Sequence, residues 1–130
     1  MDCSFLDVFD LSKGERCFFS GKCLEVRGLR MSGDFDILVT SQLFERLKNT
    51  FPSAFSLKEN KTPFLLFADQ KVEIFKDLPP FEGQEQEVIA RAEYFDGVPY
   101  MAFDDLIAFK QYLGRPKDFT DIELLQKSKC

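Results

Sequence analysis

Asp34 and Asp36 stand two positions apart in the run DFDILVT, which alternates apolar and polar side chains as a β-strand does. In a strand over residues 34–40 both acids point to the same face. The opposite face carries the apolar side chains of Phe35, Ile37 and Val39. The two Cα atoms would lie roughly 6.5 to 7 Å apart, so both carboxylates could bind one divalent cation such as Mg²⁺ or Mn²⁺. The spacing alone favours the alternative of a solvated polar face at the edge or end of a sheet.

Two further features supply the other parts that metal-dependent nucleotidyl transfer needs. Ser20 and Gly21 lie between a predicted strand, residues 16–19, and a predicted helix, so backbone N–H groups could face phosphate there and Lys22 could add charge. The alternative is an ordinary strand-to-helix turn. Glu73, within the apolar run VEIF, is a third acid that could complete a metal site. Its alternative is an outward residue of an edge strand.

The composition excludes several classes of protein. The chain has no histidine, which excludes Ser-His-Asp and Cys-His nucleophile systems and HExxH metal sites. The net charge of −5 argues against a protein that grips a long nucleic acid through its phosphates. No apolar run reaches the ~18 residues of a spanning helix and the N-terminus does not resemble a signal peptide, so a cytoplasmic protein without membrane partners is expected. Reduced thiols are expected for the cysteines at positions 3, 17, 23 and 130.

The length of 130 residues predicts a single domain. The predicted fold class of this domain is α/β (α+β), a mixed β-sheet with helices packed on it. Strands are predicted over residues 16–19 and 34–40 and as a hairpin of PFLLFAD and KVEIFK. A second hairpin is predicted where Asp96-Gly97 joins EVIARAEYF to VPYMAF, with a helix as the alternative for EVIARAEY.

Helical patterns occupy the remaining segments. The first is KCLEVRGL, ending at Gly28, and the second covers residues 41–49 with Ser41 as its cap. Two more helices are predicted over residues 103–113 and about 117–127. The inner face of the last helix should carry Phe119, Ile122 and Leu125.

Two stretches of the chain resemble a known family. FSGKCLEVRGLRMSGDFDILV resembles the signature of the polymerase-β-type nucleotidyltransferase superfamily, in which a Gly-Gly or Gly-Ser turn precedes a DxD strand. DGVPYMAFDDLIAFKQYLGRPKDFTDIELL is similar to the ending of small bacterial nucleotidyltransferase-like proteins, including relatives in toxin–antitoxin pairs. VEIF lies between these stretches, where the third acid of the family usually sits.

The resemblance implies that the mixed β-sheet is nucleotidyltransferase-like, and it implies roles for individual residues. Ser20 and Gly21 fall on the phosphate-facing turn, Asp34 and Asp36 on the metal ligands, and Glu73 on the third carboxylate, which would help deprotonate an acceptor hydroxyl. The implied reaction transfers NMP from an NTP such as ATP and releases pyrophosphate, with Mg²⁺ or Mn²⁺ as cofactor. Ser20 replaces the usual Gly and Glu73 replaces the common Asp, and either departure could mark an altered substrate or a lost activity.

Several basic residues are further candidates. Arg27 and Arg30 precede the DxD strand and could reach a triphosphate, or they could form ion pairs at a helix end. Arg115, Lys117 and Asp118 match an R-x-K-D pattern of the family. For that segment a structural role is favoured, in which Asp118 and Asp121 cap the last helix and pair with neighbours.

Two functions therefore remain as hypotheses. The favoured one is a metal-dependent nucleotidyltransferase whose acceptor is a small molecule, a protein or an RNA end. The alternative is a catalytically weak or inactive nucleotidyltransferase-fold binding module, which acts through a protein partner or as a homodimer, as in toxin–antitoxin pairs.

Overall fold

A computed structural model describes residues 14–129 of the chain. The strands are β1 Arg16–Phe19, β2 Phe35–Val39, β3 Phe55–Leu57, β4 Pro63–Phe67, β5 Val72–Phe75, β6 Glu93–Phe95 and β7 Val98–Tyr100. The α-helices are α1 Gly21–Val26, α2 Ser41–Thr50, α3 Glu85–Ala90, α4 Phe103–Leu113 and α5 Pro116–Ser128. Short 3-10 turns cover Pro52–Ala54 and Ala68–Gln70.

The strands form one mixed sheet in the order β3-β4-β5-β2-β1-β7-β6. β2 runs parallel to β5, and β1 runs parallel to β7, whereas the other neighbours are antiparallel. The expected fold class is confirmed, since residues 14–129 form a single mixed α/β domain with helices packed on a mixed sheet. The strands β1, β2 and β5 lie inside the sheet and carry the candidate site.

Helices cover both faces of the sheet. α2 packs on one face, against a cluster that includes Ile37 and Val39 of β2. α1, α3, α4 and α5 contribute to a second cluster on the other face, which includes Leu38. The predicted alternation along β2 is therefore confirmed, and Asp36 lies on the face that carries α4 and α5.

Local predictions hold where the signal is local. The hairpin at Asp96-Gly97 is confirmed. Both residues have a positive φ, 54° and 79°, as the two central residues of a type I′ turn require. The segment EVIARAEYF is divided between helix α3 and strand β6, because Glu85, Val88 and Ile89 are buried at the i, i+3 and i+4 spacing of a helix. The third predicted helix, residues 103–113, is α4 with the same bounds.

Three details differ from the sequence predictions. Asp34 lies one residue before β2 and is exposed. The cap of α2 is Thr40, whose Oγ1 accepts a hydrogen bond from the N–H of Leu43 at 3.3 Å, whereas Ser41 is the first helical residue. Phe119 is 56% exposed, because the inner face of α5 is a stripe with two buried acids in it. That stripe consists of Asp118, Asp121, Ile122 and Leu125.

Cys17 and Cys23 are buried free thiols, as predicted, while Cys3 and Cys130 lie outside the described residues. Burial raises the pKa of Cys23 to about 12, so this thiol is protonated at neutral pH. Within residues 14–129 no helix has both the length and the apolar character needed to cross a membrane.

Candidate active-site cleft

A cleft of about 560 Å³ opens on the α4 side of the sheet. Three residues predicted for the site line it, namely Ser20, Asp36 and Glu73. One wall is apolar and consists of Phe19, Phe75, Leu78, Pro79, Phe109 and Leu113. Polar side chains, among them those of Lys58, Asn60, Tyr112 and Arg115, also line the cleft. It therefore combines an acidic floor with an apolar wall, as ligand sites commonly do.

Asp36 and Glu73 are partners in register on the neighbouring parallel strands β2 and β5. Their side chains share one face because Ile37 and Ile74, the next residues on each strand, are buried in the cluster under α2. β5 lies between β4 and β2, so the edge-strand alternative for Glu73 is wrong. The sheet itself thus brings the second and third predicted acids together.

The charge on Asp36 is disfavoured in this setting. Burial, with a smaller contribution from the carboxylates of Glu73 and Asp34, raises the pKa of Asp36 to about 6. Positive charge on Lys58 and Lys110 opposes this effect only in part. A cation bound beside Asp36 would relieve the cost of the ionised form.

Asp34 takes a different position from the other two acids. It is exposed and is not among the lining residues of the cleft, although its charge reaches Asp36. Among residues 14–129 there is no cluster of three or more acidic, cysteine or histidine side chains that could hold a metal ion. Asp36 and Glu73 nevertheless fit Mg²⁺ in donor chemistry, because this ion is usually held by one or two carboxylates together with substrate phosphates and water.

Ser20 adopts an unusual backbone conformation between β1 and α1, with φ 61° and ψ −129°. A residue with a Cβ rarely takes such angles, and they persist only where the surroundings fix them. Here Lys110 Nζ donates a hydrogen bond to Ser20 Oγ at 3.3 Å. The predicted turn therefore lies at the cleft, with its conformation supported from α4.

Gly21 is required by close packing within the chain. A Cβ on Gly21 would lie 2.9 Å from Ser32 Cβ and closer still to its hydroxyl oxygen, which real Cβ atoms do not tolerate. The space left by the missing side chain is thus filled by Ser32. Gly21 is buried and does not line the cleft.

Two predicted cofactor-binding residues lie away from the cleft. Lys22 Nζ donates to the carbonyl oxygen of Ser32 at 2.7 Å and pairs with Glu25 at 3.0 Å. Arg30 forms a two-pronged contact with Asp121, with distances of 2.8 and 2.9 Å. The ion-pair alternative therefore describes Arg30, and neither cation lines the cleft.

Behind the cleft lies a buried ionic network that joins α4 to α5. Lys110, whose side chain is 2% exposed, lies 2.9 Å from Asp121 and 3.5 Å from Asp118. Arg115 contacts Asp118 through Nε at 2.6 Å and Nη2 at 3.0 Å, and its N–H donates to the same carboxylate. The predicted pairing and capping role of Asp118 is confirmed. Burial raises the pKa of Asp121, but hydrogen bonds from Arg30 and Lys110 outweigh it and lower that pKa to about 2.

Two functional candidates in this region, Lys58 and Lys110, were not predicted from the sequence. Lys110 follows Leu106 and Phe109 at helical spacing, so the pattern of α4 could have predicted that Lys110 is buried. Lys58 lies in the irregular stretch before β4, and no periodic signal marks it. Its Nζ pairs with Glu73 Oε1 at 2.8 Å.

Comparison of the chain with models of protein families and with curated proteins finds no match in either case.

Proposed function

We propose that this protein is a metal-dependent nucleotidyltransferase that transfers NMP from an NTP to an acceptor hydroxyl and releases pyrophosphate. The observation that carries the proposal is the pairing of Asp36 with Glu73 on adjacent parallel strands inside one cleft. Burial and the neighbouring carboxylate of Glu73 both disfavour the ionised form of Asp36, whose pKa is raised, and a bound cation would relieve this cost. Shifted pKa values of this kind, in a cleft and with a specific charge partner, cluster at functional sites.

Each part of the cleft takes a role in this proposal. Asp36 and Glu73 would hold Mg²⁺ or Mn²⁺, and the charge of Asp34, which is exposed and outside the lining of the cleft, would act on the same site. When bound, the cation neutralises the charge that develops on the phosphoryl oxygens and orients the triphosphate. In this proposal Ser20 presents its turn to the phosphates, and the Glu73 carboxylate accepts a proton from the attacking hydroxyl.

The apolar wall fits the nucleoside end of the substrate. Phe19 packs edge-on against Phe75 and against Phe109, at centroid distances of 5.6 Å and 5.4 Å. A planar base could lie against such a surface while the triphosphate reaches the acids. Arg115 at the cleft adds positive charge for the phosphates.

Transfer of label tests the proposal and identifies the acceptor class. Each α-labelled NTP is incubated with the protein, a cytosolic extract and either Mg²⁺ or Mn²⁺, for the wild type and for Asp36→Asn. Asp104→Asn, an exposed acid of α4 outside the cleft, is the matched control. We expect label on a small molecule, a protein or an RNA end, which is lost in Asp36→Asn and kept in Asp104→Asn. Absence of transfer by the wild type with every NTP and both metals contradicts the proposal.

One observation favours the alternative of a weak or inactive nucleotidyltransferase-fold module that acts through a partner. Glu73 already has a cationic partner in Lys58, and no group of three acids is assembled among residues 14–129. Co-purification from its own cytosol, with light scattering to detect a homodimer, tests this alternative. A monomer that co-purifies with nothing counts against it.

A further inference from the structure

We propose that Lys58 is a tethered cation that occupies the carboxylate site and must leave Glu73 before a divalent cation binds there. The inference rests on the proposed function and adds a control element to the same cleft. It assigns Lys58 a role in setting the metal affinity of the site, apart from any role in stabilising the fold.

The position of Lys58 supports this assignment. Its Nζ lies 2.8 Å from Glu73 Oε1, and it also lies over the rings of Phe64 and Phe75, at 4.4 and 5.7 Å from their centroids. Glu73 is the register partner of Asp36, so the ammonium lies at one of the two carboxylates that would hold a metal. Its charge acts on Asp36 as well.

The ammonium can leave without refolding of the loop that carries it. The Lys58 N–H donates to the Thr62 carbonyl at 2.9 Å, and the Lys58 carbonyl accepts from the N–H of Lys61 at 2.8 Å, so the backbone is held by its own hydrogen bonds. The side chain is 40% exposed, and its ammonium is carried on a flexible stem of four carbons. A change of rotamer alone can therefore carry the charge from Glu73 into water.

Lys58 and a divalent cation exclude each other at this site. Both need the Glu73 carboxylate, and a single and a double positive charge a few Å apart repel each other. The acids carry two negative charges against one ammonium, so a divalent ion matches them better once Lys58 has moved. The apparent metal affinity of the site is consequently its intrinsic affinity reduced by the competition from Lys58.

Binding of Mn²⁺ alone, followed by the paramagnetic resonance of the free ion, tests this competition. The folded full chain is compared as wild type, Lys58→Met and Lys58→Arg at low salt. Met keeps the apolar stem over Phe64 but removes the charge, whereas Arg keeps the charge. We expect Lys58→Met to bind Mn²⁺ about fivefold more tightly than the wild type, as suits the loss of one partly exposed ion pair. Lys58→Arg should stay within about twofold of the wild type.

Lys48→Met is the matched control for a general loss of positive charge. The Lys48 ammonium lies over the ring of Phe55, 4.5 Å from its centroid, and lies outside the cleft. Its removal should leave Mn²⁺ affinity unchanged. If Lys58→Met does not fold, as judged by circular dichroism, Lys58→Gln replaces it with the same expectation.

The outcomes separate the inference from the proposed function. Wild-type binding that is equal to or tighter than that of Lys58→Met overturns the inference and leaves the nucleotidyltransferase proposal standing. Equal tightening in Lys58→Arg or Lys48→Met also overturns it, because the charge at position 58 is then not the cause. Absence of Mn²⁺ binding in every variant, with and without NTP, overturns both. Tighter binding in Lys58→Met without any label transfer supports the inference and contradicts the proposed reaction.

Discussion

Replacing Lys110 with Met should cost much of the stability of the fold. The Lys110 side chain is 2% exposed and lies between Asp118 and Asp121, which are 0% and 5% exposed. Met has a similar length and apolar stem, so packing is largely kept while the buried charge is lost. Two carboxylates then keep only their arginine partners, Arg115 and Arg30.

The magnitude follows from the burial of the network. Removing one partner of a buried ion pair costs about 3 to 5 kcal/mol, because the remaining charge is left uncompensated. Each aspartate here keeps one arginine, so we expect a loss near the lower end, about 3 kcal/mol. That is a large share of the ~5 to 15 kcal/mol that stabilises a typical domain. The melting temperature should fall by roughly 10 °C for a chain of this size.

Urea unfolding followed by circular dichroism measures this loss, with Lys127→Met as the matched control. Lys127 belongs to α5 and pairs with Glu123 at 2.9 Å, but the two side chains are 74% and 66% exposed. Its replacement should leave the urea midpoint unchanged, since exposed pairs contribute little. A loss of less than about 1 kcal/mol in Lys110→Met would refute the reasoning, because a buried pair cannot be broken so cheaply.

Two further predictions concern residues of the site. Asp36→Asn should stabilise the fold by up to about 3 kcal/mol near neutral pH, because the pKa of Asp36 is raised to about 6 from an ordinary ~3.9. Since the folded state holds this proton more tightly, wild-type stability falls as pH rises from about 4 to about 6. The urea midpoint of Asp36→Asn should therefore exceed that of the wild type near pH 7 and nearly equal it near pH 4. Equal midpoints near pH 7 would argue against a buried charge at Asp36. Asp34→Asn, at an exposed position, should gain less stability. Gly21→Ala should cost about 1 to 3 kcal/mol, because its Cβ would lie 2.9 Å from Ser32 Cβ. Gly33→Ala, with nothing within 4 Å of the added atom, is the control, and matching midpoints for the two variants would contradict the close packing.

Elements with a strong local signal could be predicted from the sequence. The alternation of DFDILVT placed Ile37 and Val39 opposite Leu38, as the two core clusters confirm. The Asp96-Gly97 turn and the bounds of α4 were also readable, because they depend on residues close in sequence. Of the predicted site residues, Ser20, Asp36 and Glu73 line one cleft, whereas Gly21, Lys22, Arg30 and Asp34 do not.

The rest depends on contacts between distant segments. The register that sets Asp36 against Glu73 is fixed by the pairing of β2 with β5, across 37 positions that no local pattern connects. Phe119 was predicted to lie in the core because it is hydrophobic, yet the stripe that α5 buries includes two acids, both of which pair with Lys110 of α4. Arg30 was predicted to act beside the DxD motif, whereas its partner, Asp121, lies 91 positions away in the sequence.

The central claim, that the Asp36 and Glu73 pair holds a metal with a nucleoside triphosphate, is tested most directly by calorimetry. Each NTP is titrated into the folded wild type and into Asp36→Asn, with Mn²⁺ present and after chelation. We predict NTP binding by the wild type that requires Mn²⁺ and is lost in Asp36→Asn. Absence of metal-dependent NTP binding in well-folded wild-type protein, or unchanged binding in Asp36→Asn, would contradict the claim.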